Sequence, residues 1–415
     1  MFANYFESKG RIHTLCNSAS GSWLEGFACD LWQTGYAEIT ARRHIRAAEH
    51  LTYWADRNAI RVDEIPAQVL SGFDEHLIEC QCSGFGHYDR MNLVSGARLF
   101  MGYLYGAGVI DAFDAGKAVP DPVLLTSFCE WMRLRRGSKD STLSTYSISI
   151  KDLLKQVGDD PGKFDAKSLR QFVLTTSRKQ GLAATKNCTT ALRMFLRFLI
   201  AEGKCAVNLA DAVPVVAQWN HSSLPRYLQA QDVERIISSC NLGSPVGRRD
   251  RVILLLLARL GLRAGDIVQI QLGDIDWKGA WISVTGKSRR QTKFPLTQEV
   301  GQAIINYLQD GRPQADTTAL FVGSRAPFRA FASHCAISVI VAKAMKRADV
   351  HCPSGGAAHV LRHSVATSLL REGTSLQDIA VILGHRSITT TQIYAKVDRS
   401  TLQQIAQPWP EVQSC

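Results

Sequence analysis

The chain has no apolar run that approaches the roughly 20 residues a membrane-spanning helix needs. Its longest, Val252 to Ala258, reads as a buried core helix. The opening stretch, Met1 to Ser22, is polar and has no apolar core of the kind an export signal carries, so neither export nor a membrane partner is expected. Paired cysteine spacing is missing too. The 11 cysteines are scattered, which suits a reducing cytoplasm better than a disulfide scaffold. Cys80-Gln-Cys82 and His351-Cys352 are close ligand-type pairs involving cysteine. Neither has the two-residue spacer or the matching second pair of a structural zinc site, so they read as ordinary thiols and no metal is expected. Acidic residues are also in short supply: 37 Asp and Glu face 48 Lys and Arg, a net charge of +11. That excess favours a polyanionic partner, most simply nucleic acid. With 46% hydrophobic and 20% charged residues, a sizeable core is available and gross disorder is excluded.

What is present divides into segments. Residues 1–119 read as an extra helical region, with amphipathic helices over Arg42–Asn58 and Ile65–Ile78. The tract Gly106-Ala-Gly108, Asp114-Ala-Gly116 and Pro120-Asp-Pro122 reads as a boundary. Residues 120–212 read as a small helical domain, with helices over Pro122–Leu134, Ser141–Val157, Ala166–Lys179 and Ala183–Glu202. Thr142 and Thr185 fall where two of these begin and suggest N-cap chemistry. Arg135, Arg136 and Lys186 are among its basic candidates for contact with DNA. A faint echo of Phe27, Thr40, Leu70 and Phe73 in Phe128, Thr142, Leu169 and Phe172 suggests a duplicated module, although amphipathic helices resemble one another readily.

A linker over 213–228 leads to a third segment, 229–408, with a short tail at 409–415. Helices are expected over Gln229–Cys240, Arg249–Leu260, Gln298–Gln309, Arg329–Arg347, Ala358–Arg371, Leu376–Leu383 and Thr389–Asp398. Trp281–Thr285 and Thr292–Leu296 alternate like strands of a hairpin whose tip is basic. The fold class is therefore mainly α with a small β-hairpin.

This segment holds the parts that phosphodiester cleavage needs. A nucleophile must reach phosphorus, cationic donors must hold the charge that gathers on the nonbridging oxygens, and the leaving oxygen needs a proton. Arginine suits the clamp because its planar fork matches phosphate and stays charged. Arg263 follows the buried helix, with Asp266 three residues on to orient it. Lys287 stands at the hairpin tip beside Arg289, Arg290 and Lys293. His359 and Arg362 lie three apart on one helix face. His385 follows a Leu-Gly turn, and Tyr394 comes nine residues later. Each part alone is an ordinary surface or core residue. Their order and spacing together carry the signal.

His359-Val-Leu-Arg-His-Ser-Val-Ala-Thr-Ser, then Gly373, then Leu383-Gly-His-Arg-Ser-Ile-Thr-Thr-Thr-Gln-Ile-Tyr394-Ala resembles the tyrosine recombinase (phage integrase) family. The resemblance covers about Leu224 to Gln407 and more faintly Asp121 to Ala212, which is similar to the family's helical, SAM-like core-binding domain. It implies an α+β catalytic domain and a two-domain clamp on double-stranded DNA. It implies that Arg263 and Arg362 bind the scissile phosphate, with Asp266 supporting the first. Lys287 would protonate the leaving 5′ oxygen, His359 would act as acid or base, and His385 would donate a hydrogen bond. Tyr394 would form a 3′-phosphotyrosyl link, with no cofactor and no ATP. Val360 and Ser364 depart from the family's usual acidic residue and Thr. Arg290 and Lys293 compete with Lys287 for the hairpin role.

Further implications are a homo-tetramer on paired DNA sites, alone or with related recombinases, and a cytoplasmic, nucleoid-associated location. Residues 401–408 would pack on a neighbouring protomer. Integration, excision and transposition of a mobile element all fit. Two rivals remain at this point: type IB topoisomerase-like relaxation of one duplex, and a DNA-binding relative that has lost catalysis. A binder would have no need of Tyr394.

Overall fold

The computed structural model describes residues 1–66, 68–85, 89–111, 121–217, 224–286, 291–351, 356–385, 387–397 and 402. Several expectations fall outside that set: the tract from Asp114 to Pro120, the hairpin tip with Lys287, Arg289 and Arg290, Cys352, the packing of residues 401–408, and the 409–415 tail. The chain forms two compact units, Asp114–Ser222 and a second that joins Met1–Phe113 to Ser223–Cys415.

In the Met1–Phe113 stretch, helices α1 (Lys9–Cys16), α2 (Gly21–Gln33), α3 (Glu38–Arg57), α4 (Val69–His76) and α5 (Arg90–Gly106) surround an apolar core that includes Phe27, Leu51, Phe73 and Phe100. Ser8 caps α1 by accepting from the Arg11 amide, a start signal unused in the sequence reading. The expected helix at Ile65–Ile78 is shorter, because Pro66 biases Ile65 away from helical geometry and helix begins only at Val69.

The Asp114–Ser222 unit holds α6 (Val123–Arg136), α7 (Asp140–Val157), α8 (Ala166–Lys179) and α9 (Leu182–Ala201), packed around Phe128, Leu153, Phe172 and Phe195. The four helices match expectation to within a turn. The capping does not. Lys139 and Gly181 occupy the N-cap positions, while Thr185 Oγ1 donates back to the Gly181 carbonyl at 3.2 Å. A hydroxyl inside the first turn satisfies itself on the preceding turn's carbonyl, so it cannot serve the free amides.

In Ser223–Cys415 the order is α10 (Ala230–Ser238), α11 (Pro245–Ala258), α12 (Ala264–Gln269), β1 (Ile275–Asp276), β2 (Trp281–Thr285), β3 (Gln291–Pro295), α13 (Gln298–Asp310), α14 (Cys335–Arg347), α15 (Ala357–Arg371) and α16 (Leu376–Ile382). The strands form an antiparallel sheet in the order β1-β2-β3, with Ser283 opposite Lys293. Ile282 and Val284 face the core, as the two-residue alternation requires. The short strand β1 was not anticipated. α11 is buried on every side from Val252 to Leu257 and forms the axis of this core.

Two expected helices are corrected. The one placed at Arg329–Arg347 starts only at Cys335, because Val322 bridges Ala330 and the Gly323 amide donates to the Arg329 carbonyl, tying that backbone into extended pairing. The one placed at Thr389–Asp398 is not an α-helix. It is a pair of 3₁₀ segments, Ile388–Thr390 and Gln392–Val397. The run Ser-Ile-Thr-Thr-Thr is β-branched and hydroxyl-rich, and Ser387 Oγ takes up the Thr389 amide, so side chains compete with the helical ladder.

Because α11 has no exposed face over this stretch, Leu255→Ala removes packing that nothing can refill. A loss of about 2–5 kcal/mol of unfolding free energy is expected. A urea-denaturation loss well under 1 kcal/mol would show that α11 is not the core axis.

Candidate active site

The site grows from two tight turns. α11 ends, and Gly261 takes a left-handed conformation (φ 60°) that redirects the chain into Leu262 and Arg263. A Cβ at Gly261 would lie 2.7 Å from Leu383 Cδ2, so glycine is required there for space as well as for conformation. Leu383 belongs to the second turn, where Gly384 is also left-handed (φ 60°). The two turns thus meet, and each presents carbonyl oxygens to an arginine.

Arg362, on α15, is only 6% exposed. It donates to the carbonyl of Gly261 and, at 2.5 Å, to that of Leu383. Arg263, at the N-cap of α12, donates to the Gly384 carbonyl at 3.1 Å and lies 3.7 Å from an Asp266 carboxylate oxygen. The sequence pairing of Arg263 with Asp266 is therefore present in space. Burial, and then the neighbouring Arg263 charge, pull Arg362 down to about 10. At neutral pH it is still a cation. Two guanidiniums held together by carbonyls, with one carboxylate nearby, make a pocket of positive potential that favours an added anion.

Tyr394 sits on the second 3₁₀ segment and is 2% exposed. Its hydroxyl lies 2.7 Å from His363 Nδ1. Burial pushes the phenol up to about 12, although Arg362 and Arg263 both pull it the other way. His385 Nδ1 lies 2.8 Å from the Thr391 hydroxyl. Burial, followed by the charges of Arg362 and Arg263, pushes His385 down to about 4. His363 falls to about 4 as well, through burial and then the neighbouring His359 and Arg362. Both imidazoles are neutral at physiological pH. His359 lies in the first turn of α15 and is exposed.

Electrostatics and turns thus draw Arg263, Asp266, Arg362, His385 and Tyr394 together. His359 adjoins them through His363. Lys293 is exposed on β3, at the end of the hairpin whose tip is not described. Arg135 and Arg136 close α6 and Lys186 lies on α9, all three exposed on the other unit. His363 is the contact that sequence reasoning missed. It stands inside the same motif, but it is one residue past Arg362, and its partner is 31 residues away. Only the fold closes that distance.

Folding disfavours protonation of His363 and His385, since both folded values lie below the ordinary 6.5. The stability they contribute is whole above about pH 6.5 and declines as pH falls towards 4. Imidazole NMR resonances of both residues are expected to titrate near pH 4. A midpoint near 6.5 for either would contradict its burial.

Residues 226–401 match the phage integrase family. The whole chain is similar to an integrase/recombinase designated y4rF from Sinorhizobium fredii (strain NBRC 101917 / NGR234). The two are 35% identical over 418 residues, covering 99% of this chain and 96% of the relative. The fold is similar to that of XerH site-specific recombinase bound to palindromic difH substrate, at 17% identity and a TM-score of 0.53, covering 88% of this chain and 95% of that one. It is also similar to a lambda integrase tetramer bound to a Holliday junction, at 19% identity and a TM-score of 0.50, covering 80% and 91%. Identities this low speak to fold alone, whereas y4rF matches from end to end. The chain belongs to the phage integrase family and is a tyrosine-type site-specific recombinase, an enzyme that breaks and rejoins DNA strands.

Proposed function

We propose that Tyr394 is the nucleophile and that Arg263 and Arg362 form the clamp for the scissile phosphate. The observation that carries this reading is the convergence of both guanidiniums on the Gly261 and Leu383–Gly384 turns, with the Tyr394 phenol inside their field. In the reaction the phenol oxygen forms a bond to phosphorus and its proton passes to an imidazole, His359 or the adjacent His363. The bond from phosphorus to the 5′ oxygen breaks, and Lys287 supplies the proton to that oxygen. His385 donates to a nonbridging oxygen, and Asp266 holds Arg263 in place. The 3′-phosphotyrosyl link keeps the energy of the broken bond, so a 5′ hydroxyl from a partner strand reverses the step without ATP.

Tyr394 must leave its pocket to act, because a side chain 2% exposed cannot reach a backbone phosphate. A bound phosphate would compete for the arginines that now hold the Leu383 and Gly384 carbonyls. That competition loosens the turn from which the 3₁₀ segments hang, which couples release of the nucleophile to DNA binding.

The wider reading follows from this chemistry. The chain acts on double-stranded DNA in the cytoplasm, at the nucleoid. Residues 120–212 and 229–408 form the two halves of a clamp, with Arg135, Arg136, Lys186, Arg289, Arg290 and Lys293 against the phosphate backbone. Separate apolar cores over 125–213 and 228–361 support that division, and a third over 2–110 supports an added N-terminal region. Four copies assemble on paired sites, in line with the lambda integrase tetramer, to move a mobile element.

A nicked suicide substrate carrying the element's end is expected to trap a covalent adduct with the wild type and none with Tyr394→Phe. An adduct that persists in Tyr394→Phe would sink the nucleophile assignment. Relaxation of any supercoiled plasmid by the wild type would instead point to topoisomerase action. Arg263→Ala and Arg362→Ala should each slow adduct formation by about 10²–10³-fold, the typical effect of losing one charge-stabilising donor. A change below tenfold in single-turnover assays would remove that arginine from the clamp.

A further inference from the structure

Far from Tyr394 in sequence, the Met1–Phe113 stretch brings together four metal-ligand side chains that the recombination chemistry does not use. His50 comes from the middle of α3 and His76 from the last turn of α4. Cys80 and Cys82 come from the non-helical segment that follows α4. His50 Nε2 faces Cys80 Sγ at 3.4 Å, and His76 Nε2 faces Cys82 Sγ at 3.4 Å. The four ligand atoms all lie within 4.8 Å of one another. Among the described residues this is the one cluster of its kind.

The spacing can be compared with what a metal would demand. Zinc binds sulfur at about 2.3 Å and imidazole nitrogen at about 2.0–2.1 Å in a tetrahedron. Such a tetrahedron has sulfur-to-nitrogen edges of about 3.5 Å and a sulfur-to-sulfur edge of about 3.8 Å. The observed separations of 3.4 Å already sit at that size. The simpler reading, two thiol-to-imidazole hydrogen bonds, accounts for each pair but not for the meeting of the two pairs.

The surroundings favour a closed site. His50 is 2% exposed. Phe85 stacks on its ring at 4.3 Å and Phe73 meets it edge-on at 5.3 Å, while Trp54 lies against His76 at 5.9 Å. His76, Cys80 and Cys82 are half-buried. A divalent cation with two thiolates and two neutral imidazoles has no net charge, so the filled site suits an apolar wall. Thiolate with imidazole in tetrahedral array selects zinc over magnesium or calcium, which prefer oxygen.

We propose that His50, His76, Cys80 and Cys82 form a structural Cys₂His₂ zinc site that clips the segment after α4 onto α3. On binding, the two thiols release two protons to solvent and the imidazoles bind unprotonated. All four positions are filled by protein, so the role is structural, and the site stands independently of the chemistry at Tyr394.

The test uses the full-length chain, expressed with zinc available and purified under reducing conditions. Elemental analysis is expected to give close to one zinc per chain. Cobalt(II) added to the metal-stripped protein should give the intense visible bands of a tetrahedral site and a thiolate-to-cobalt charge-transfer band. Cys80→Ser and Cys82→Ser should each lower metal retention at least tenfold, while Cys16→Ser, an exposed thiol elsewhere, should leave it unchanged. Wild type that purifies without zinc and gives no cobalt spectrum overturns the proposal, whether or not the variants fold. Equal zinc content in Cys82→Ser and wild type overturns it as well.

Discussion

Two arginines held against the backbone carbonyls of two turns are the constraint on which this site depends. A buried guanidinium without partners is strongly unfavourable, so Arg362 can exist at 6% exposure only because the Gly261 and Leu383 carbonyls accept from it. Those carbonyls point inward only because Gly261 and Gly384 both turn left-handed. The Gly261 turn in turn closes α11, which is fixed by burial on every side. Core packing, turn conformation and charge placement are therefore one chain of dependence, and the cation is rigid because the core is. Preorganisation of this kind lets a fixed charge stabilise a transition state without moving to meet it.

The same enclosure keeps the other groups uncharged. His363 and His385 are neutral and the Tyr394 phenol is protonated because burial opposes charge on each of them; the Arg362 charge adds to burial at both histidines and works against it at Tyr394. The pocket thus carries an excess of positive charge and a buried, protonated phenol. A phosphate changes both terms at once. Its charge satisfies the arginines. It also draws guanidinium donors away from the carbonyls of the turn that holds the tyrosine segment.

Much of this was legible in the sequence because it rests on local rules. α6 to α9 follow from apolar periodicity and sit within a turn of where the sequence puts them. Arg263 and Asp266, three residues apart, find each other within one turn of chain. The failures share a cause. The helix expected to carry Tyr394 became two 3₁₀ segments, because Ser387 Oγ takes up the Thr389 amide and the run after it is β-branched. Hydrophobic spacing does not register that competition. His363 was in plain view within its motif, yet its bond to Tyr394 spans 31 residues and two elements. No periodicity encodes a contact made by the meeting of two turns.

The cysteine pair shows the same limit of spacing rules in sharper form. Cys80-Gln-Cys82 lacks the spacer of a familiar zinc motif, and as a pair it is indeed incomplete. Its partners are a histidine at the end of the preceding helix and another on α3, which enter only when α3 and α4 pack through Phe73 and Trp54. A spacing rule works where one short loop supplies two ligands to a site. Here the apolar core of the Met1–Phe113 stretch performs that gathering, and the ligands need no fixed spacing. A stretch that holds two thiols and two imidazoles within 4.8 Å of one another has already met most of the entropy cost of ligand assembly through hydrophobic packing. Little further ordering would then oppose a bound metal, so the packing of α3 on α4 itself supplies the preorganisation that a short chelating loop provides elsewhere.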